Sequence, residues 1–262
     1  MNELKHEHEG AGIDRKLHNP VEDKLEPVYP LDLTKIRSIN DLVQAMGQTA
    51  FTGRQIGEAA DVLEAMARDK DCFVVMTLAG AMTVAKQGLV VTELIDRGIV
   101  NAIVSTGALM AHGLVEATGK SHYKFDWNIS DVDLYEAGYN RVYDTLEPEE
   151  NLNHVETVVS SVLNAWDAKE IACSHKLNRA IGEHLHKHDT GRGILKSAYE
   201  KGVPVFVPAF TDSEMGLDFA LHNRKRTKEG RQTLRYEPFE DLEFFAETLL
   251  KQKRLGIFTI GG

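Results

Sequence analysis

The sequence is poor in cysteine, in long apolar runs and in positive charge. Two cysteines, Cys72 and Cys173, in 262 residues cannot make a disulfide framework and suit a reducing compartment. No stretch approaches the roughly 20 apolar residues that a membrane helix needs. The first residues, "MNELKHEHEGAGIDRKLHNPVEDK", lack the apolar centre of a signal peptide. The expected location is the cytoplasm. Thirty Lys and Arg against forty Asp and Glu give a net charge of −10, which argues against general nucleic-acid binding and against docking on anionic membranes. Several catalytic signatures are absent too. There is no G-x-G-x-x-G fingerprint, G-x-S-x-G elbow, P-loop, paired CxxC or HExxH. The best-marked dehydrogenase, hydrolase, NTPase and zinc classes therefore lose support, and no metal is expected.

What is present is an ordinary globular composition, 42% hydrophobic and 27% charged. Residues 1–28 carry few apolar side chains and no period, so they read as a polar arm. Residues 29–262 read as one α/β domain. "TGRQ" places Thr52 at a helix N-cap with Gln55 at capping-box spacing, and Ile56, Ala59, Leu63 and Met66 then share a face. "CFVVMTLAG" and "IVNAIVSTG" are continuous apolar runs that end in small residues, the pattern of parallel strands covered on both faces. A helical segment lies between them, which completes a βαβ unit. "NRVYDTLEPEEN" reads as a connection with acidic, proline-bearing turns. Residues 153–165 and 176–188 read as helices. "GVPVFVPAFTD" is a further strand, and "LEFFAETLLKQKRLG" is a helix leading into the strand "IFTIGG". The expected architecture is a three-layer αβα fold with a mostly parallel, Rossmann-like sheet.

In such sheets a ligand sits beyond the carboxyl ends of the strands. Here those ends are "TLAGAMT", "STGALMAHG", "PAFTDSEMG" and "TIGG". Small residues let backbone N–H groups approach phosphates, and hydroxyls add hydrogen bonds, so a dinucleotide or phosphate ligand is expected. Asp212 fits either a ribose or amine contact or the N-cap of the next helix. Asp218 and Glu214 fit either a cationic substrate or a solvated helix surface. His112 lies just past a strand end. His184 and His188, one helical turn apart, have metal spacing but no evident third ligand. The basic run over residues 222–235 reads as a solvated loop or an interface.

Five segments in order resemble the deoxyhypusine synthase family, in its bacterial synthase-like branch. They are "MGQTAFTGRQIGEAADVL", "VNAIVSTGALMAHGLVEA", "AGYNRVYDTLEPEENL", "VPVFVPAFTDSEMG" and "GIFTIGG". The resemblance implies NAD-dependent transfer of an aminobutyl group from a polyamine such as spermidine to an amine acceptor, through an imine on an enzyme lysine. It also implies a homotetramer with active sites at subunit interfaces. By position, Thr106, Gly107, Ala108, Asp212, Gly261 and Gly262 would touch NAD, with Thr77 and Thr83 facing it as well. Asp218, offset by one residue from the family spacing, would bind the amine. His112 would join it, standing with Ala111 where typical synthases have adjacent glutamates. The family's Trp-Gly-Lys motif, which carries the imine-forming lysine, is not among these residues. The expectation is a catalytic segment beyond Gly262. Two other readings fit the same residues, a regulatory NAD-binding subunit and a transferase that makes homospermidine-like small amines.

Overall fold

The structure is a computed structural model that describes residues 18–188 and 191–261. The chain divides into two compact units, Met1–Val62 and Leu63–Gly262. The first contains α1 (Ile39–Gly47), capped by the Ser38 hydroxyl accepting from Asp41 N. The next helix, α2 (Phe51–Arg68), has Gly57 as its one buried residue. A Cβ on Gly57 would overlap Gly47, so the two helices pack backbone to backbone there. Two local expectations change. The helix starts at Phe51, whose φ is +55°, so Thr52 sits inside the first turn and is not the cap. Ile56, 44% exposed, and Ala59 are open on the predicted face, whereas Leu63 and Met66, in the second unit, are partly buried.

The second unit begins with β1 (Cys72–Leu78), a short α3 (Ala81–Val84), α4 (Gly88–Asp96), β2 (Ala102–Ser105) and α5 (Ala108–Ala117). β3 (Tyr123–Lys124), α6 (Asp131–Glu136), β4 (Tyr139–Val142) and β5 (Thr145–Pro148) follow. The chain continues through α7 (Glu149–Ala165), β6 (Ile171–Ala172), α8 (Ser174–His188), α9 (Ile194–Lys201) and β7 (Val205–Phe206). It closes with α10 (Glu214–Lys228), β8 (Arg235–Tyr236), α11 (Phe239–Leu250) and β9 (Arg254–Ile260).

Four strands form the central sheet in the order β7-β2-β1-β9, and every pairing in it is parallel. Because side chains alternate across a strand, Met76 and Leu78 enter the larger core with α4, α5, α7, α8 and α9. Phe73 and Val75 point to the other face, where Phe206, Phe245 and Leu249 pack. Helices therefore cover both faces, as the apolar runs predict. β1, β2 and β7 progress in one direction and β9 then returns to the far side of β1. Such a reversal opens a crevice at the carboxyl edge of the strands.

Residues 140–151, expected as a turn-rich connection, instead hold most of the antiparallel β4–β5 pair and the start of α7, with β3 added at the other edge of β5. The basic run is a loop only in its second half, where residues 229–233 form an exposed turn and irregular segment. Its first half is the end of α10, and Arg226 is only 5% exposed, donating from Nε to Gln232 O at 2.6 Å.

Candidate functional site

The carboxyl edge of the sheet is tied together by small residues at close quarters. Gly80 N donates to Thr106 Oγ1 at 3.2 Å, and Ser105 Oγ donates to Leu78 O at 2.5 Å. A Cβ on Gly80 would stand 2.6 Å from Ala108 Cβ, and one on Gly107 would overlap Ser213 Cβ. Gly261, at φ +80°, lies where a Cβ would be 2.8 Å from Ala79 Cβ. Ends of β1, β2, β9 and the turn after β7 thus meet with no room for larger residues.

Among the expected cofactor residues, Thr106 is exposed at the tip of β2, with Gly107 and Ala108 opening α5. That helix has no side-chain cap and no acidic residue in its first turn, so no side chain competes with an anion for its positive end. Asp212 is exposed in a 3-10 turn, Phe210–Asp212, beside this edge. It does not cap α10. Ser213 does, accepting from Gly216 N at 3.2 Å while its hydroxyl donates to Phe210 O. Gly262 lies outside the described residues. Thr77 Oγ1 pairs with Thr259 Oγ1 at 2.8 Å across the sheet. Thr83 is 1% exposed and donates to Gly80 O, so it turns into the protein and away from any ligand.

Next to this edge stands an acidic face carried by α10 and α7, with Glu156 of α7 near Asp218. Glu214 and Asp218 lie one turn apart on α10 and are both half-buried. They are not the solvated surface residues that their helix positions allowed. Burial raises the Glu214 carboxyl above its ordinary range; His112 opposes this and Glu147 adds to it. Burial, with Glu156 and Glu214 nearby, pushes Asp218 up to about 6. Carboxylates held together out of water lack countercharge, and an ammonium group supplies it.

His112 is turned inward, its Nδ1 2.7 Å from Glu147 Oε2. Glu147 is 1% exposed. Burial alone would raise its carboxyl, but His112 and His122 outweigh burial and hold it at about 2. His122 and Glu147 were not singled out from the sequence. They are ten and thirty-five residues from His112, in a loop and in β5, so no spacing rule connects the three.

A second cluster joins Cys173, His175 and Asp241. Asp241, at the start of α11, accepts from Ser174 N at 2.8 Å and from His175 N at 3.0 Å, and its Oδ1 lies 2.8 Å from His175 Nδ1. It therefore caps the first turn of α8. Burial would raise its carboxyl, but the hydrogen bonds from His175 and Ser174 hold it below the usual range. Burial pushes the Cys173 thiol to about 12, so it is no nucleophile. Asp241→Ala is expected to cost about 3 kcal/mol by orphaning buried donors, measured as a lower urea midpoint. Because Asp241 has a depressed folded pKa, its contribution is present above the ordinary aspartate range and is lost as pH falls below it.

An α/β unit with helices on both sheet faces and a mainly parallel sheet has the form of a Rossmann-like three-layer αβα fold. The comparisons with known proteins narrow that class. The sequence matches the deoxyhypusine synthase family model over residues 41–262. It is 31% identical over 238 residues to a Methanosarcina mazei protein named "Probable deoxyhypusine synthase 2", covering 90% of this chain and 67% of that one. It is 29% identical to the "Deoxyhypusine synthase-like protein" of Chlorobaculum tepidum, again over 90% of this chain and 67% of the relative. A solved structure titled as a candidate deoxyhypusine synthase from Entamoeba histolytica superposes with a TM-score of 0.66 at 15% identity. It covers 90% of this chain and 79% of its own. The chain belongs to the deoxyhypusine synthase family. Among the described residues no helix is long and apolar enough to cross a membrane.

Proposed function

We propose that this chain binds NAD at the carboxyl edge of the β7-β2-β1-β9 sheet and presents a polyamine to it from the acidic face of α10. The observation that carries the reading is adjacency. An uncapped, anion-receptive helix start at Gly107 touches the same turn, at Ser213, that begins the helix carrying Glu214 and Asp218. One ligand there is anionic and its neighbour is cationic.

The residues present fit the dinucleotide. Thr106 offers an exposed hydroxyl, the first amide of α5 has no side-chain cap competing for it, and Gly80, Gly107 and Gly261 leave the edge narrow. Asp212, exposed beside it, suits ribose hydroxyls. Glu214 and Asp218 bind the protonated amines of the donor and fix its register. When bound, NAD accepts a hydride from the carbon next to an amine nitrogen, making that carbon open to attack by a second amine. The reaction class is aminoalkyl transfer, with spermidine as the expected donor. A homotetramer is part of the same reading, and light scattering should report about four times the 29.2 kDa chain mass.

The test is to mix the purified chain with NAD and spermidine and follow reduced cofactor by its absorbance and fluorescence. Polyamine-dependent reduction, absent with neutral diols of similar length, supports the proposal. NAD binding with no response to any polyamine contradicts the donor assignment.

A further inference from the structure

His112 from α5, His122 from the loop before β3 and Glu147 from β5 converge on one point. Their ligand atoms all lie within 4.8 Å of one another. His112 Nδ1 is 2.7 Å from Glu147 Oε2, and His122 Nε2 is 3.3 Å from Glu147 Oε1. The His122 and Glu147 side chains are 0% and 1% exposed. Yet His112 Nδ1, His122 Nε2 and Glu147 Oε1 make no well-directed hydrogen bond. Buried polar atoms in that condition are costly, and the two imidazoles at ion-pair distance balance the Glu147 charge only when they are protonated.

We propose that His112, His122 and Glu147 form a binding site for a divalent transition-metal ion of the zinc type. Imidazole nitrogens and a carboxylate are the donor set such ions take, at about 2.0–2.2 Å, and tetrahedral bonds of that length set donors about 3.3 Å apart. The His122–Glu147 separation already has this value, and the 2.7 Å contact of His112 with Glu147 has to open by about 0.6 Å to reach it. Two nitrogens among three donors disfavour calcium and magnesium, which take oxygen. Three protein ligands leave one position open to water or to a substrate amine. The α10 carboxylates lie within electrostatic reach of the cluster, since Glu214 responds to both His112 and Glu147. The ion would also fasten β5 and the loop before β3 to α5.

Lys86 sets the condition for binding. Its Nζ pairs with Glu116 and lies 3.0 Å from His122 Nδ1, while Glu116 Oε1 is 3.8 Å from that nitrogen. A histidine bound to metal through Nε2 carries its proton on Nδ1 and donates it, commonly to a carboxylate. It cannot face an ammonium group there. Metal entry must therefore turn the half-exposed Lys86 side chain outward and pass His122 to Glu116. Lys86 competes with the ion, and Glu116 supports it. Opposite effects at these two positions are not expected of a purely structural histidine pair.

The full chain, freed of metal with a chelator and carrying no affinity tag, is titrated with Zn(II) by calorimetry and with Co(II) by visible absorption. One tight site per chain and a tetrahedral Co(II) spectrum are expected. His122→Asn or Glu147→Gln should weaken binding at least 100-fold. Lys86→Gln should tighten it about tenfold, and Glu116→Gln should weaken it about tenfold, the range typical of groups that orient a ligand. His6→Ala/His8→Ala, two positions apart in the sequence, and His184→Ala/His188→Ala, one turn apart on α8, should leave the tight site intact. Absence of a tight site, or binding that survives both His122→Asn and Glu147→Gln, overturns the proposal. Should those two variants fail to fold, the Lys86 and Glu116 pair decides alone: opposite shifts support the site, and no shift in either overturns it.

Discussion

Replacing Asp218 by Asn is expected to stabilise the protein at pH 8 and to weaken polyamine binding by one to two orders of magnitude. Asp218 is pushed up to about 6 by burial and by the neighbouring Glu156 and Glu214. A carboxyl whose folded pKa lies above its unfolded value is held protonated by the fold. Its folded state is therefore favoured at low pH, and stability falls as pH rises from about 4 through 6. Above that window the ionised, half-buried Asp218 costs up to about 3 kcal/mol, two pKa units at about 1.4 kcal/mol each. Asn removes the charge and the cost together. Thermal melts of the two proteins should diverge above pH 6 and converge near pH 4. A polyamine supplies the missing countercharge, so wild type should also release a proton on binding it near pH 6, and Asp218→Asn should release less. Equal melts at pH 8 would mean that Asp218 is better solvated than its position on α10 indicates.

Gly107→Ala is expected to cost about 1–3 kcal/mol, or more, and to abolish NAD binding. The backbone of Gly107 is an ordinary helical one, φ −60° and ψ −28°, so alanine suffers no dihedral penalty. The whole cost is steric, because the new Cβ overlaps Ser213 Cβ, and overpacked sites carry costs of this size. The double variant Gly107→Ala/Ser213→Gly removes the overlapping atom and should recover most of the melting temperature. Whether it also recovers NAD binding separates two roles of the glycine. Recovery of fold without recovery of binding places the cofactor itself against Gly107. Recovery of both assigns Gly107 only to joining β2 to α10.

The parts of this molecule that were legible in the sequence are those where one physical demand dominates. β1 and β2 are buried on both faces, and continuous apolar runs record that directly. Their carboxyl ends read as glycine, alanine and threonine because the strand ends meet there with no room for larger side chains. The β4–β5 pair was illegible for the opposite reason. β4 is mostly exposed, each strand has only four residues, and β5 ends on Pro148, so neither an apolar run nor a clear alternation marks them. Arg226 read as solvated because a charged residue in a basic run normally is. Its buried guanidinium is matched by the Gln232 carbonyl, a partner no pattern encodes. Glu214 and Asp218 stood out in the sequence as carboxylates after a strand end, but their half-burial on α10 did not. The histidine side of the site was half hidden, because His122 and Glu147 reach His112 only after the three-stranded sheet has folded beside α5.

The central claim is that a dinucleotide and a polyamine occupy adjacent parts of one site. The most direct measurement is calorimetric titration of NAD into the full chain with and without spermidine, repeated on Glu214→Gln/Asp218→Asn. Saturable NAD binding that responds to spermidine in wild type, and loses that response in the double variant while NAD still binds, is the predicted result. Spermidine sensitivity unchanged by removal of both carboxylates, or failure of NAD to bind at all, would contradict it.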